Sequence, residues 1–119
     1  MLHIKVFESY NNLAEIELIP VEEAPLYKAF DIHVNNRKVG IIDVGLYNTS
    51  LTQDEAEIVG ININKESRGL GIGALSVRRL FKRFPNVRRF ILMPTEDSLE
   101  FWKSVGAKNY GNGYLYLER

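Results

Sequence analysis

Short alternations of apolar and polar residues, each cut by a turn signal, run along most of the chain. Residues 2–7 (LHIKVF) alternate as a half-buried strand does. Between residues 8 and 25 the pattern is weaker. Asn11, Asn12, Pro20 and Pro25 punctuate an apolar run from Leu13 to Val21 that fits either a strand or one helical turn. From Tyr27 to Val34 the alternation is clear, with Phe30, Ile32 and Val34 on one face. Asn35–Asn36 turns the chain, and Lys38 to Tyr47 returns as an antiparallel partner. A polar connection, 48–56, leads to a third strand from Glu57 to Asn64. Strict alternation there puts Ile58, Gly60 and Asn62 on one face and Val59, Ile61 and Ile63 on the other.

The period then changes. After the glycine-rich stretch 65–73, the apolar residues Val77, Leu80, Phe81 and Phe84 recur at helical spacing, and Pro85 stops the helix. Arg89 to Met93 is a short apolar strand ended by Pro94. Thr95 can cap a second helix with Glu96 and Asp97 in its first turn, running to about Val105 and stopped by Gly106. Tyr110 to Glu118, bent around Gly111-Asn112-Gly113, reads as a last hairpin. The order predicts an α+β or α/β three-layer sandwich on a mixed, mainly antiparallel sheet.

The 119 residues suit one globular domain, 1–119, and 45% hydrophobic content excludes a disordered tail. With no cysteine there is neither a disulfide nor a thiolate metal site. No run approaches the ~18 apolar residues of a membrane span, and MLHIKVFESY lacks a basic-then-apolar leader, so a soluble, cytoplasmic protein is expected. Zero net charge conceals an asymmetry. Residues 1–64 carry a net −6, residues 65–89 a net +7 and residues 90–119 a net −1. A solvated basic helix face balanced by acidic loops is one reading; an anion site in the middle and a cation-friendly first half is the other. The domain as a whole is not basic, which disfavours nucleic acid as its partner.

Candidate chemistry sits at the change of period. A strand, a glycine-rich turn and a helix start make an anion site, because the first helical N–H groups lack partners and the dipole favours negative charge. Gly69, Gly71 and Gly73 let the main chain approach a phosphate, and Arg68 adds a charge-assisted contact. The plainer reading is that the glycines turn a corner and pack helix on strand. Gly69 to Ala74 also satisfies G-x-G-x-x-G/A formally, but five residues separate it from Ile63 and no carboxylate ends the next strand. Without Gly-Lys-Ser/Thr it is not a Walker loop either. A nicotinamide cofactor and ATP are both disfavoured.

Arg68-x-x-Gly71-x-Gly73 resembles the Q/R-x-x-G-x-G/A signature of the GNAT N-acetyltransferase superfamily, whose loop cradles the pyrophosphate of acetyl-CoA. The layout is similar too: the strand GININKES, the helix ALSVRRLFKRF, the strand RRFILM and the segment SLEFWKSVGA. That last segment resembles a-x-x-a-Y-x-x-x-G-F, with Trp102 at the tyrosine, Gly106 at the glycine and Ala107 at the phenylalanine. The resemblance covers about residues 27–118 in layout and 57–107 in motif.

It implies a short GNAT domain that moves acetyl from acetyl-CoA, without a metal, to a primary amine by direct attack in a ternary complex. It implies that Ile61 and Ile63 lie on the strand pairing with the pantetheine arm. Arg68, Gly69, Leu70, Gly71, Ile72, Gly73 and Ala74 would wrap the pyrophosphate. Phe101 and Trp102 would sit near the thioester, and Lys103 near the CoA phosphates. Glu57, within AEIV and eleven residues before Arg68, matches the general-base glutamate of the histone-acetyltransferase branch; an exposed strand-end carboxylate is its other reading.

The residues support that chemistry independently. An amine of pKa about 10.4 attacks a thioester only after losing a proton, and a carboxylate such as Glu57 can take it. A splayed strand's free N–H groups can hold the developing oxyanion.

Two departures stand out. Trp102 cannot deliver a proton as a tyrosine does; Tyr110, Tyr114 or Tyr116 could substitute, although such residues commonly pack across strands. Only about residues 8–25 are available for the helices the family has between its first two strands, so the acceptor wall is short or supplied by a homodimer partner. His3 and His33 are uninformative. The acceptor is an amine on a small molecule, protein or peptide. A non-catalytic CoA-binding or interaction module is the rival class, and a further alternative is an RNA-directed enzyme using Arg78, Arg79, Lys82 and Arg83.

Overall fold

The computed structural model describes residues 16–46, 54–69 and 71–119. The strand expected over 2–7, most of the connection 48–56, and Leu70 lie outside the described residues. The strands are β1 (Ile16–Ala24), β2 (Tyr27–Val34), β3 (Arg37–Gly45), β4 (Glu55–Ile63), β5 (Arg89–Leu92), β6 (Lys108–Gly111) and β7 (Tyr114–Glu118). They form one sheet in the order β1-β2-β3-β4-β5-β7-β6. All neighbours are antiparallel except β4 and β5. Helix α1 (Ile72–Arg83) makes the crossover between that parallel pair, and α2 (Leu99–Ser104) precedes β6. The fold is α+β with a mixed, mainly antiparallel sheet, as the order of patterns predicts.

The β2–β3 hairpin forms because Asn35 and Asn36 both accept left-handed angles, φ 52° and 67°, as a two-residue turn matching strand twist requires. The ambiguous run 13–21 resolves in its described part as strand: β1 pairs with β2, and Ile16 is buried. Pro20 is tolerated because β1 is the edge strand among the described residues.

One expectation fails in β4. Asp43 faces Gly60 while Val44 faces Ile58, so Val59 is an extra residue, a β-bulge. The bulge resets the alternation. Ala56 and Ile58 are buried, and Ile61 and Ile63 then pack against the same core rather than on the opposite face. Sequence alternation cannot register a single inserted residue.

Helix α1 buries Ile72, Ser76, Val77 and Leu80, and the Ser76 hydroxyl is satisfied by donating to the Ile72 carbonyl at 2.8 Å. Phe81 and Phe84 meet Phe90 of β5 edge-on at 4.8 and 6.4 Å, while Phe84 also meets Phe30 of β2 at 6.1 Å. These rings tie the helix to both halves of the sheet. Helix α2 starts later than expected. Thr95 and Ser98 cap each other: the Ser98 N–H donates to Thr95 Oγ1 at 3.2 Å and the Thr95 N–H to Ser98 Oγ at 2.9 Å. This closes a separate turn holding Glu96 and Asp97, and the regular helix begins only at Leu99. Its end is as expected. Gly106 (φ 96°) lets its own N–H reach the Lys103 carbonyl and the Ala107 N–H reach the Trp102 carbonyl, each at 3.0 Å.

The carbonyls at the end of α1 are closed by Arg119. Its Nη2 donates to Phe81 and Phe84 oxygens at 2.6 and 2.7 Å, its Nε to Val87 at 3.0 Å, and the guanidinium lies 5.0 Å from the Phe81 ring centre. Arg119→Ala is expected to lower unfolding free energy by about 2 kcal/mol, and Arg119→Lys by somewhat less, since a point charge cannot span three acceptors. Urea unfolding measures both; an unchanged midpoint in the alanine variant contradicts the capping role.

Candidate active site

The parallel register of β4 and β5 is short: Glu55 faces Arg89, Ala56 faces Phe90 and Glu57 faces Ile91. Strand β4 continues to Ile63, whereas β5 ends at Leu92 before Pro94. Past Glu57 the two strands part. The β4 backbone edge toward β5 then opens on a cleft of about 730 Å3, bounded by the loop after β4, the first turn of α1 and helix α2.

The loop is built for close approach. Residues Lys65–Ser67 make one 3-10 turn, and Arg68 folds back so that its Nε donates to the Ile63 carbonyl at 2.8 Å. Gly71 caps α1 at φ 83°, a conformation that costs an L-residue about 1–2 kcal/mol, and no side chain caps the helix. The first helical bond runs from the Leu75 N–H to the Gly71 carbonyl at 3.1 Å. The N–H groups of Ile72, Gly73 and Ala74 therefore have no partner within the helix. A Cβ on Gly69 would meet nothing within 4 Å, so the space over this stretch is open. Free N–H groups, open space and the Arg68 guanidinium suit a pyrophosphate.

Gly73 answers a different need. A Cβ there would lie 2.7 Å from Cζ of Phe101, whose ring covers the helix start. Phe101 in turn stacks edge-on against Trp102 with centroids 4.9 Å apart. At Gly73, therefore, the glycine serves close packing of the helix start against Phe101.

The structure brings Ile61, Ile63, Arg68, Gly69, Gly71, Ile72, Gly73, Ala74, Phe101 and Trp102 to one cleft. Trp102 is only 4% exposed and serves the core as well. Lys103 is exposed on α2 and does not line the cleft. Glu57 does not line it either; it is half-buried on the face opposite Ala56 and Ile58, at the last register pair before the strands separate. Asn62, Thr95, Asp97 and Ser98 line the cleft without having been singled out. Thr95 and Asp97 read in sequence as helix-start residues, although their place just after a strand that stops short was a usable signal.

Two of the alternative proton donors have contacts of their own. Tyr110 Oη donates to Glu55 Oε1 at 3.1 Å, and that bond, with burial and the Glu55 charge, raises its pKa from the usual 10.0 against a smaller opposing effect of Arg89. Such a phenol holds its proton more firmly. Tyr116 packs 6.0 Å from Tyr110 and under the Arg89 guanidinium at 4.7 Å.

No protein-family model matches the sequence, and no curated protein sequence does. Solved structures do match its shape. An acetyltransferase from Thermus thermophilus aligns with TM-score 0.68 at 18% identity over 80% of this chain and 66% of that one. A GNAT family acetyltransferase from Elizabethkingia anophelis, with acetyl-CoA bound, aligns with TM-score 0.62 at 15% identity over 88% of this chain and 99% of its own. A spermidine N-acetyltransferase from Vibrio cholerae aligns with TM-score 0.68 at 13% identity over 88% and 94%. At such identities the likeness concerns the fold. The chain has the GNAT acetyltransferase fold.

The contact between Gly73 and Phe101 can be tested by a double-mutant cycle. Gly73→Ala alone is expected to destabilise by about 1–2 kcal/mol. In a Phe101→Ala background the same change should be neutral or stabilising by up to about 0.5 kcal/mol, because alanine is the better helix former. Additive costs in urea unfolding contradict the contact.

Proposed function

We propose that the chain is an acyl-CoA-dependent N-acyltransferase that moves acetyl from acetyl-CoA to a primary amine by direct attack in a ternary complex. The observation that carries this reading is the parting of β4 and β5 directly onto a glycine loop and an uncapped helix start. The free edge of β4, at Ile61 and Ile63, offers N–H and C=O groups to the amides of a pantetheine arm. Arg68 and the loop through Ala74 hold the pyrophosphate, beside the Phe101 ring that rests on the start of α1, and Trp102 packs behind that ring.

In this reading Glu57 receives the proton of the attacking ammonium, directly or through a water. Its position where the sheet splits allows the amine to approach from the face opposite the cleft. The new C–N bond forms as the C–S bond breaks, and sulfur leaves with the bonding pair as a thiolate. Main-chain N–H groups at the split face the charge that develops on the carbonyl oxygen. No residue need form a covalent adduct.

Residues 1–119 form the single domain of this reading, in a soluble, cytoplasmic protein; among the described residues no helix is long and apolar enough to cross a membrane. The acceptor is an amine on a small molecule, protein or peptide. Support for a small cationic acceptor comes from the acidic first half of the chain and from the spermidine and aminoglycoside acetyltransferases among its structural neighbours. A homodimer partner completing the acceptor wall belongs to the same proposal. One observation favours a second reading, a non-catalytic CoA-binding or interaction module: Trp102 stands at the family's proton donor and Tyr110 is committed to Glu55.

Calorimetry with acetyl-CoA tests the cleft. The intact protein is expected to bind, and Arg68→Ala with Gly71→Asp to bind at least about tenfold more weakly. Absence of binding by the folded intact protein overturns the proposal. Thiol release with a panel of amines then separates the two readings. The enzyme reading expects Glu57→Gln to lower kcat by about 100-fold or more with acetyl-CoA affinity unchanged. Binding without turnover on any amine favours the module.

A further inference from the structure

On the sheet face opposite the core, the register fixes which residues surround the fork. Tyr27, Gly45 and Glu57 share one row across β2, β3 and β4, and Ala29, Asp43 and Gly60 share the next. Ile42, Val44, Ala56 and Ile58 are buried in the core, so Asp43 and Glu57 both point outward. Glu57 is thus the diagonal neighbour of Asp43 across β3 and β4, a relation that puts Cβ atoms about 7–8 Å apart. Neither Gly45 nor Gly60 raises a side chain between them.

Asp43 is held in one direction. Tyr27 Oη donates to its Oδ2 at 2.5 Å, and a Cβ on Gly60 would lie 3.1 Å from its Oδ1. One oxygen is therefore anchored on β2, and the other leans over β4 beside the fork. Two further carboxylates of this face are already neutralised. Asp31 pairs with Lys38 at 3.3 Å, while Glu55 pairs with Arg89 at 3.8 Å and accepts from Tyr110 at 3.1 Å. Among the described residues neither Asp43 nor Glu57 has an ion pair. A half-buried carboxylate anchored only by a neutral donor still favours a cation on its second oxygen.

We propose that Asp43, positioned by Tyr27, binds a second ammonium of the acceptor while Glu57 takes the proton of the first, making the protein selective for diamines over monoamines. This rests on the acyltransferase reading, in which the amine reaches Glu57 from this face. Two ammonium groups on a short alkyl chain span the separation of the two carboxylates, and each meets one of them in a charge-assisted hydrogen bond. A monoamine of the same length meets only one. The pair of glycines gives the chain room to lie flat on the strands between its two ends.

Thiol release at saturating acetyl-CoA, with putrescine and with butylamine, tests it on the intact protein, Asp43→Asn and Tyr27→Phe. The intact protein should use putrescine about tenfold better in kcat/KM, and the gap should narrow as ionic strength rises. Asparagine keeps the shape of Asp43 and an acceptor for Tyr27, so that variant removes charge alone. It should raise KM for putrescine about tenfold with little change in kcat, which closes the gap. A merely structural role would instead lower kcat and weaken acetyl-CoA binding, which calorimetry on the same variant reads. Tyr27→Phe keeps the charge but releases it, and should raise the putrescine KM about threefold. Equal or better use of butylamine by the intact protein, or a preference that survives Asp43→Asn, overturns the inference and leaves the acyltransferase reading standing. Turnover of neither amine overturns the inference, and silence of a wider amine panel overturns the acyltransferase reading as well.

Discussion

Strand β4 outruns its parallel neighbour, and the candidate site depends on that mismatch. The register with β5 ends at Glu57 and Ile91, yet β4 continues six residues to Ile63 while β5 ends at Leu92, before Pro94. Backbone N–H and C=O groups need partners wherever water is excluded. On its other edge β4 remains paired with β3 as far as Ile63, so the strand stays in the sheet while its edge toward β5 has no strand partner among the described residues. An extended molecule carrying amides is the natural occupant of such an edge. The bulge at Val59 adds to this by turning Ile61 and Ile63 against the core, which fixes the lip of the cleft.

Much of the fold was legible because its signals are local. Two asparagines define the β2–β3 turn, a helical stripe and Pro85 define α1, and Gly106 stops α2. What escaped was set by neighbours in space. One extra residue at Val59 shifts every later side chain of β4, and nothing in EIVGINI marks it. The run before Tyr27 became strand only because an edge of β2 was available to pair with it. Thr95 and Ser98 close a turn of their own, since each hydroxyl can accept the other's N–H, and this delays α2.

The site was legible to a similar depth. Three glycines and an arginine mark a candidate anion loop, but identical letters conceal distinct reasons. Gly71 is needed for its left-handed angle, whereas Gly73 is needed because Phe101, twenty-eight residues on, rests against it. That second reason is a tertiary contact, which no spacing rule contains. The basic stretch 65–89 likewise looked like one feature and separates into several. Arg83, Arg88 and Arg89 are spent on ion pairs and Arg68 on the loop, while among the described residues Arg78 and Lys82 have no ion pair.

Trp102 bears on the proposed chemistry through proton balance. The attacking amine starts near pKa 10.4 and must lose its proton before attack, whereas a thiol near 8.5 is a fair leaving group as its anion. The first requirement falls on a base and cannot be waived at neutral pH; the second is eased by an acid but does not demand one. Glu57, at the fork of the sheet, can meet the first. For the second, Trp102 can donate a hydrogen bond from its indole N–H without transferring the proton. Tyr110 is the less suitable donor, because the Glu55 carboxylate makes its phenol hold the proton more tightly. In the proposed chemistry, losing the base should therefore cost more than having a tryptophan at position 102, and thiolate departure need not await a dedicated acid.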